Sequence, residues 1–218
     1  MAQSITYYEE PKPAKWLFAS PHAAWIWLVV RVWLGYQWFA AGWGKITGTA
    51  PKPWHLFGSI NLESLGWGFT SDSWLRSSAG LKGFAAFALQ NAKGPHAAVN
   101  YGWYQNFLHW MTGSGGWMAP VIAIGEVAIG IGLIFGILTG VSAFFAVILN
   151  TAFGLAGVAG VNPLFVVFEL MLVLAWRNAG YYGVDRWLLP ALGTPWQPGK
   201  VFRHAKETAP SVVEPVTA

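Results

Sequence analysis

The chain has 218 residues, of which 55% are hydrophobic, 17% aromatic and 10% charged. Soluble domains carry about 25% charged residues. With a mean hydropathy of +0.42, the composition excludes an ordinary soluble enzyme, a disordered chain and a typical nucleic-acid binder, and predicts a polytopic membrane protein. The net charge of +4 then bears first on orientation, because Lys and Arg concentrate in cytoplasmic loops. There is no Cys, so the chain itself supplies no thiol–disulfide chemistry, no haem c attachment and no thiolate ligand for a cluster.

Residues 1–21 are polar and Pro-spaced (EEPKPAK) and read as a soluble cytoplasmic tail, without the apolar core of a signal peptide. An apolar run from Ala23 to Trp43 follows, interrupted by Arg31. It matches the roughly 20 residues that a helix needs to cross about 30 Å of hydrocarbon. Residues 44–116 open with loop composition (GTAPKPWHLFGS). Helices are then predicted over 73–92 and 99–111, both too short or too polar to span. They are expected on the outer face of the bilayer or as a cap on the bundle. The seven Trp residues from Trp43 through Trp117 suit an interfacial position. An aromatic-lined entrance for a flat ring ligand is the alternative reading.

From Trp117 to Phe168 the one charge is Glu126. Breaks at 137–140 (ILTG) and 159–163 (AGVNP) divide this stretch into expected spans over 118–137, 141–160 and 163–177, with Asn162 and Pro163 suited to a helix start. Trp176, Tyr181, Tyr182 and Trp187 edge the last span, as aromatic residues do at the lipid–water boundary. Residues 199–218 read as a flexible tail. The expected fold class is all-α: an integral membrane four-helix bundle in one domain, residues 22–198, with a long extramembrane segment between spans one and two.

Four spans put both termini on one side. The tails carry Lys12, Lys15, Arg177, Arg186, Lys200, Arg203 and Lys206. The long segment carries Lys45, Lys52, Arg76, Lys82 and Lys93, but it exceeds the length over which loop charge decides topology. Both termini are therefore expected on the cytoplasmic side of the plasma membrane.

An ionisable residue within a span normally faces protein or a cavity. Arg31, Gly35, Trp38, Gly42 and Lys45 fall within about 40° of one line along the first span. The glycines there let a partner backbone, or a ligand, come close. Glu126, Asn150 and Glu169 come from the other spans. Counting residues from the span edges puts Arg31 about 12 Å and Glu126 about 12–14 Å into the bilayer. One cation, two carboxylates and one amide are thus expected in one layer. This layer is either a buried ion pair that fixes helix register or a pocket that holds a ligand and moves protons. In the second reading Arg31, Glu126 and Glu169 are the catalytic candidates, and Arg31, Gly35, Trp38, Gly42, Lys45 and Asn150 line the ligand site. The stripe Ala128, Gly132, Gly136 and Gly140 reads as helix packing. His22, His55, His96, His109 and His204 all lie outside the span interiors, so neither haem nor metal is predicted.

Three segments in order carry a family resemblance: RVWLGYQWFAAGWGKI, GEVAIGIGLIFGILTGVSA and GVNPLFVVFELMLVLAWRNAGYYGVDRWLLPALGTPW. Together they resemble the DoxX/DoxD-like membrane proteins, least between residues 46 and 100. The family's recurring positions match at Arg31, Gly35, Gly42, Lys45, Glu126, Asn162 and Pro163. Gly140 stands after Thr139, where the family often places a basic residue. The resemblance implies a four-helix membrane protein linked to the DoxD subunit of thiosulfate:quinone oxidoreductase, with quinone as a substrate and a smaller DoxA-like partner. Thiosulfate would then bind on the outer side at Lys45, Arg76, Lys82 or Lys93. The alternative is a non-catalytic accessory subunit of a larger respiratory or photosynthetic complex, which the lack of Cys and haem ligands favours.

Overall fold

The computed structural model describes residues 11–48, 73–92, 99, 101–157 and 162–194. Described residues are helical or irregular, with no strand among them. The helices are α1 (Lys12–Ala19), α2 (Ala24–Thr47), α3 (Ala79–Gln90), α4 (Gly102–Thr112), α5 (Met118–Phe135), α6 (Thr139–Leu155), α7 (Asn162–Leu174) and α8 (Asp185–Leu192). Gly115–Phe135, with a 3-10 turn leading into α5, is long and apolar enough to cross a membrane. The stretch from α1 through α2 qualifies only as a pair bent by 68° at the break. The helices α6 and α7 are apolar but shorter.

The bundle is built on close backbone approach between α2 and α5. A Cβ on Gly42 would lie 2.7 Å from the Val127 amide nitrogen, and one on Gly130 would lie 2.5 Å from the Phe39 nitrogen. Glycine is required at these positions because backbone, which cannot rotate away, occupies the space. α6 packs chiefly against α7. The bundle core is Trp27, Leu34, Trp38, Ile129, Leu133, Ala143, Ala146, Phe165 and Leu172. The expected small-residue stripe on α5 is not one packing face. Gly132 faces Ser142 of α6, Gly136 ends the helix at φ +66°, and Ala128 is exposed. Gly140 abuts Trp176, whose Cβ would be 2.6 Å from an added methyl.

The pieces α3 and α4 cap one end of the bundle around a second core of Trp74, Leu81, Phe84, Tyr104, Leu108 and Met111. This core continues into Ala119, Ala123 and Ala156 of the bundle. Phe84 meets Phe153 of α6 edge-on, with ring centroids 5.7 Å apart. The Tyr104 hydroxyl donates to the Ala152 carbonyl at 2.5 Å. The expected loop GTAPKPWHLFGS, beyond its first residue, and the C-terminal tail lie outside the described residues.

Two helices stand where the sequence predicted a tail or left the chain unassigned. Lys12–Ala19 was expected within the polar tail, yet Leu17 and Phe18 give α1 an apolar side. Phe18 stacks on Trp27 at 5.6 Å, and the Trp27 indole donates to the Leu17 carbonyl at 2.7 Å. The Asn178 amide donates to the carbonyls of Leu17 and Ser20. At this same end, α8 follows the turn after α7.

Candidate functional site

Polar groups enter the bundle interior along one face of α2. Arg31, Gly35, Trp38 and Gly42 are buried and Lys45 is half-buried, so the predicted line on this helix does face inward. Arg31, Trp38 and Lys45 stand seven residues apart, about 10 Å of helix per step. Each meets a different partner, giving three polar levels instead of the single layer expected.

At the first level Arg31 donates to the Leu133 and Ile134 carbonyls at 2.7 and 2.6 Å, and to the Tyr182 carbonyl at 2.8 Å. The first two belong to the last turn of α5, where carbonyls lack intrahelical donors and the helix dipole favours a cation. Gly136 and Gly183 flank the guanidinium, and a Cβ on either would lie 3.0 Å from one of its atoms. Asp185 does the reverse for the next helix. It accepts from the Leu138 and Thr139 amides at 2.6 and 2.8 Å, and from the Thr139 hydroxyl at 2.6 Å. Leu138 sits at φ +46°, a left-handed conformation that costs a branched residue energy and persists where surroundings hold it. The α5–α6 turn is thus gripped by a cation on one helix end and an anion on the other.

At the third level Lys45 meets Glu126 at 2.5 Å. Lys45 Nζ also lies over the rings of Trp74 (5.4 Å) and Phe153 (5.8 Å). The predicted partnership of Arg31 with Glu126 is therefore corrected. The reason is register: α2 pairs with α5 through Gly42 against Val127 and Gly35 against Ile134, so Lys45, still helical in α2, falls beside Glu126 and Arg31 falls at the C-terminal end of α5. With Glu126 as its partner, Lys45 no longer offers an uncompensated charge to an anion.

The middle level holds Glu169, which is fully buried. Its Oε1 accepts from the Trp38 indole at 2.8 Å and the Asn150 amide at 2.7 Å. Its Oε2 has no partner among the described residues. Three helices, α2, α6 and α7, thus meet at one carboxyl group that keeps an unused oxygen. Two rings of α7, Phe165 and Phe168, meet Trp33 of α2 edge-on at 5.3 and 5.9 Å, on the α2–α7 side of the same level. Gln37, buried with its amide nitrogen unpartnered, was not among the expected site residues.

Of the expected set, Asn150, Trp38 and Glu169 come together. Arg31 and the Lys45–Glu126 pair stand at separate levels, and Gly35 and Gly42 receive the α5 backbone. Asp185 was missed. The signal for it was its position two residues after the GYYG turn, as the one acid between Arg177 and Arg186 beyond the end of α7. No protein-family model matches the chain, and neither a curated protein nor a solved structure does.

Proposed function

We propose that this chain is a four-span membrane subunit of the DoxX/DoxD type that couples thiosulfate oxidation to quinone reduction, with Glu169 as the proton donor on the membrane side. The observation that carries this reading is the middle level: a buried carboxyl group with two donors on one oxygen and none on the other. A protonated Glu169 keeps Oε1 as acceptor for Trp38 and Asn150 and presents Oε2–H as a donor. A quinone takes up protons and electrons in equal number, and such a group delivers the proton where no water reaches. Electrons come from thiosulfate, directly or through a partner subunit of DoxA type, since the sequence carries no Cys.

The placement across the bilayer is supported by the outward faces. Val29 and Val32 on α2, Val121 and Ile124 on α5, Phe144 and Ile148 on α6, and Val167 and Leu170 on α7 are exposed. Exposed apolar side chains on every helix of a bundle match a lipid environment. Arg31, engaged through its two terminal nitrogens though its Nε has no partner among the described residues, and Glu126, engaged by Lys45, hold the helices in register in this account and take no part in the chemistry.

The test is thiosulfate-dependent quinone reduction by protein purified from its native membrane together with its partners. Glu169→Gln keeps an acceptor for Trp38 and Asn150 but has no proton to give. It is expected to lower kcat by about 100-fold or more while the thermal midpoint holds. Wild-type rates in this variant would sink the proton-donor role.

A second reading is a non-catalytic subunit of a respiratory or photosynthetic complex. It is favoured by the engagement of Arg31 and Glu126 and by the exposed aromatic side chains of the cap, Tyr101, Trp103 and Trp117. Co-purification with a stoichiometric redox subunit, and no quinone reduction by the chain with a DoxA-like partner alone, would establish it.

A further inference from the structure

The end of the bundle that carries α1 and α8 has a chemistry the proposed reaction does not use. Lys12 and Lys15 of α1, Arg177 after α7, and Arg186 of α8 are all exposed. The one acid described at this end, Asp185, is buried and bonded to the α6 N-terminus. None of the four cations has a carboxylate partner among the described residues. Large rings share this end: Trp16 is 48% exposed, Trp25 59% and Trp187 69%. Arg177 lies over Trp176 at 5.9 Å, and Arg186 lies over Tyr181 at 5.2 Å and Trp187 at 6.0 Å.

The geometry of α1 fixes this group in place. The helix turns away from α2 by 68° and is held there by Trp27 and Asn178. A short helix lying across the bundle end, with Leu17 and Phe18 packed on the bundle core and Lys12, Lys15 and Trp16 exposed together, sets a ring beside two cations as an interfacial segment does. Exposed rings set beside unpaired cations match the boundary between acyl chains and negatively charged headgroups.

We infer that α1, the turn bearing Arg177, and α8 form a collar that binds anionic phospholipid headgroups of the cytoplasmic leaflet. The phosphodiester and its negative neighbours take the Lys and Arg side chains, while the indole rings sit among the upper acyl carbons. Glu9 and Glu10 precede α1 in the sequence and offset part of its charge, so α8 and Arg177 carry the larger share. The inference rests on the membrane placement proposed above.

The full-length protein is reconstituted into nanodiscs of phosphatidylcholine mixed with phosphatidylglycerol, then released and weighed by native mass spectrometry with its retained lipids. Phosphatidylglycerol is expected to be retained in excess over its share of the mixture. R177Q/R186Q is expected to reduce that excess by about fivefold or more per charge, K12Q/K15Q by less. Charge-preserving R177K/R186K retains it, and R76Q/K82Q at the opposite end leaves it unchanged. Added salt weakens it. Circular dichroism of each variant in the same discs confirms its helices. Failure to incorporate into discs at all would count against the membrane placement. Incorporation with no preference for phosphatidylglycerol, or a preference unaltered in R177Q/R186Q, would overturn the collar. Retention of an acidic protein in place of lipid would overturn it too.

Discussion

A guanidinium inside a helix bundle is satisfied either by a carboxylate or by carbonyls left open at a helix end, and Arg31 takes the second. Asp185 supplies the opposite charge to the next helix start. Asp185→Asn retains one acceptor but sets an NH2 group against the Thr139 or Leu138 amide, so the loss should be about 2–3 kcal/mol. Thermal unfolding in detergent checks this, and an unchanged midpoint would remove Asp185 from the account of the turn. Lys45 and Glu126 behave differently, because each is the other's charge partner. Removing one leaves a buried charge uncompensated, at a cost of about 3–5 kcal/mol, whereas apolar replacement of both is often neutral. Lys45→Met and Glu126→Leu should therefore each destabilise more than the double variant, and a plain sum of the two effects would contradict the pairing. In the cap, burial pushes the Tyr104 phenol up to about 12. The fold holds the neutral form, so this contribution is complete below the ordinary tyrosine value near 10 and is lost as pH rises toward 12. The wild-type midpoint should fall across that window more steeply than that of Tyr104→Phe. Parallel curves would mean that the phenol is not what titrates.

At the scale of elements, glycine decides how closely α2 and α5 approach. Gly130→Ala would set a methyl group against the Phe39 backbone at 2.5 Å, and the helices must part, at about 1–3 kcal/mol. Gly125, on the same helix, has nothing within 4 Å of an added Cβ. Gly125→Ala should therefore be neutral or stabilising by up to about 1 kcal/mol through helix propensity. Equal effects at the two positions in thermal unfolding would refute the packing argument. Sequence periodicity located the α2 face, because five chemically distinctive residues recur along it. It could not choose the α5 face, since Ala128, Gly130, Gly132 and Gly136 offer small residues on several sides. Nor could residue counting place partners across helices. The pairing of α2 with α5, with Gly42 against Val127 and Gly35 against Ile134, sets Glu126 beside Lys45 and about 20 Å of helix from Arg31, and hydropathy does not report which residues of two helices touch. Of the single layer expected, Asn150 and Glu169 do meet, as residues of two neighbouring helices with clear breaks in the sequence on either side of the turn between them. The docked helix α1 was hidden by its charged flanks, and its packed side rests on Leu17 and Phe18.

At the scale of the whole molecule, the order and type of the bundle helices and of both cap helices were legible in hydropathy and in Gly and Pro punctuation. What was not legible is the division of polar groups into three levels, which depends on tertiary register. These levels give the account its functional content: two hold the helices together, and the middle one keeps a carboxyl oxygen unused. That content depends on α6 and α7 crossing the bilayer, for otherwise Glu169 would not face a lipid-borne substrate. The chain has no Cys, so single introduced cysteines report topology without background. Ser114→Cys, between the cap and α5, and Ser211→Cys, in the C-terminal tail, fix the two sides. The deciding position is Ala159→Cys, between α6 and α7. With four spans it reacts with a membrane-impermeant maleimide in intact cells, as Ser114→Cys does. Reaction at Ala159→Cys only after permeabilisation, together with Ser211→Cys, would mean that α6 and α7 do not cross and would contradict the account.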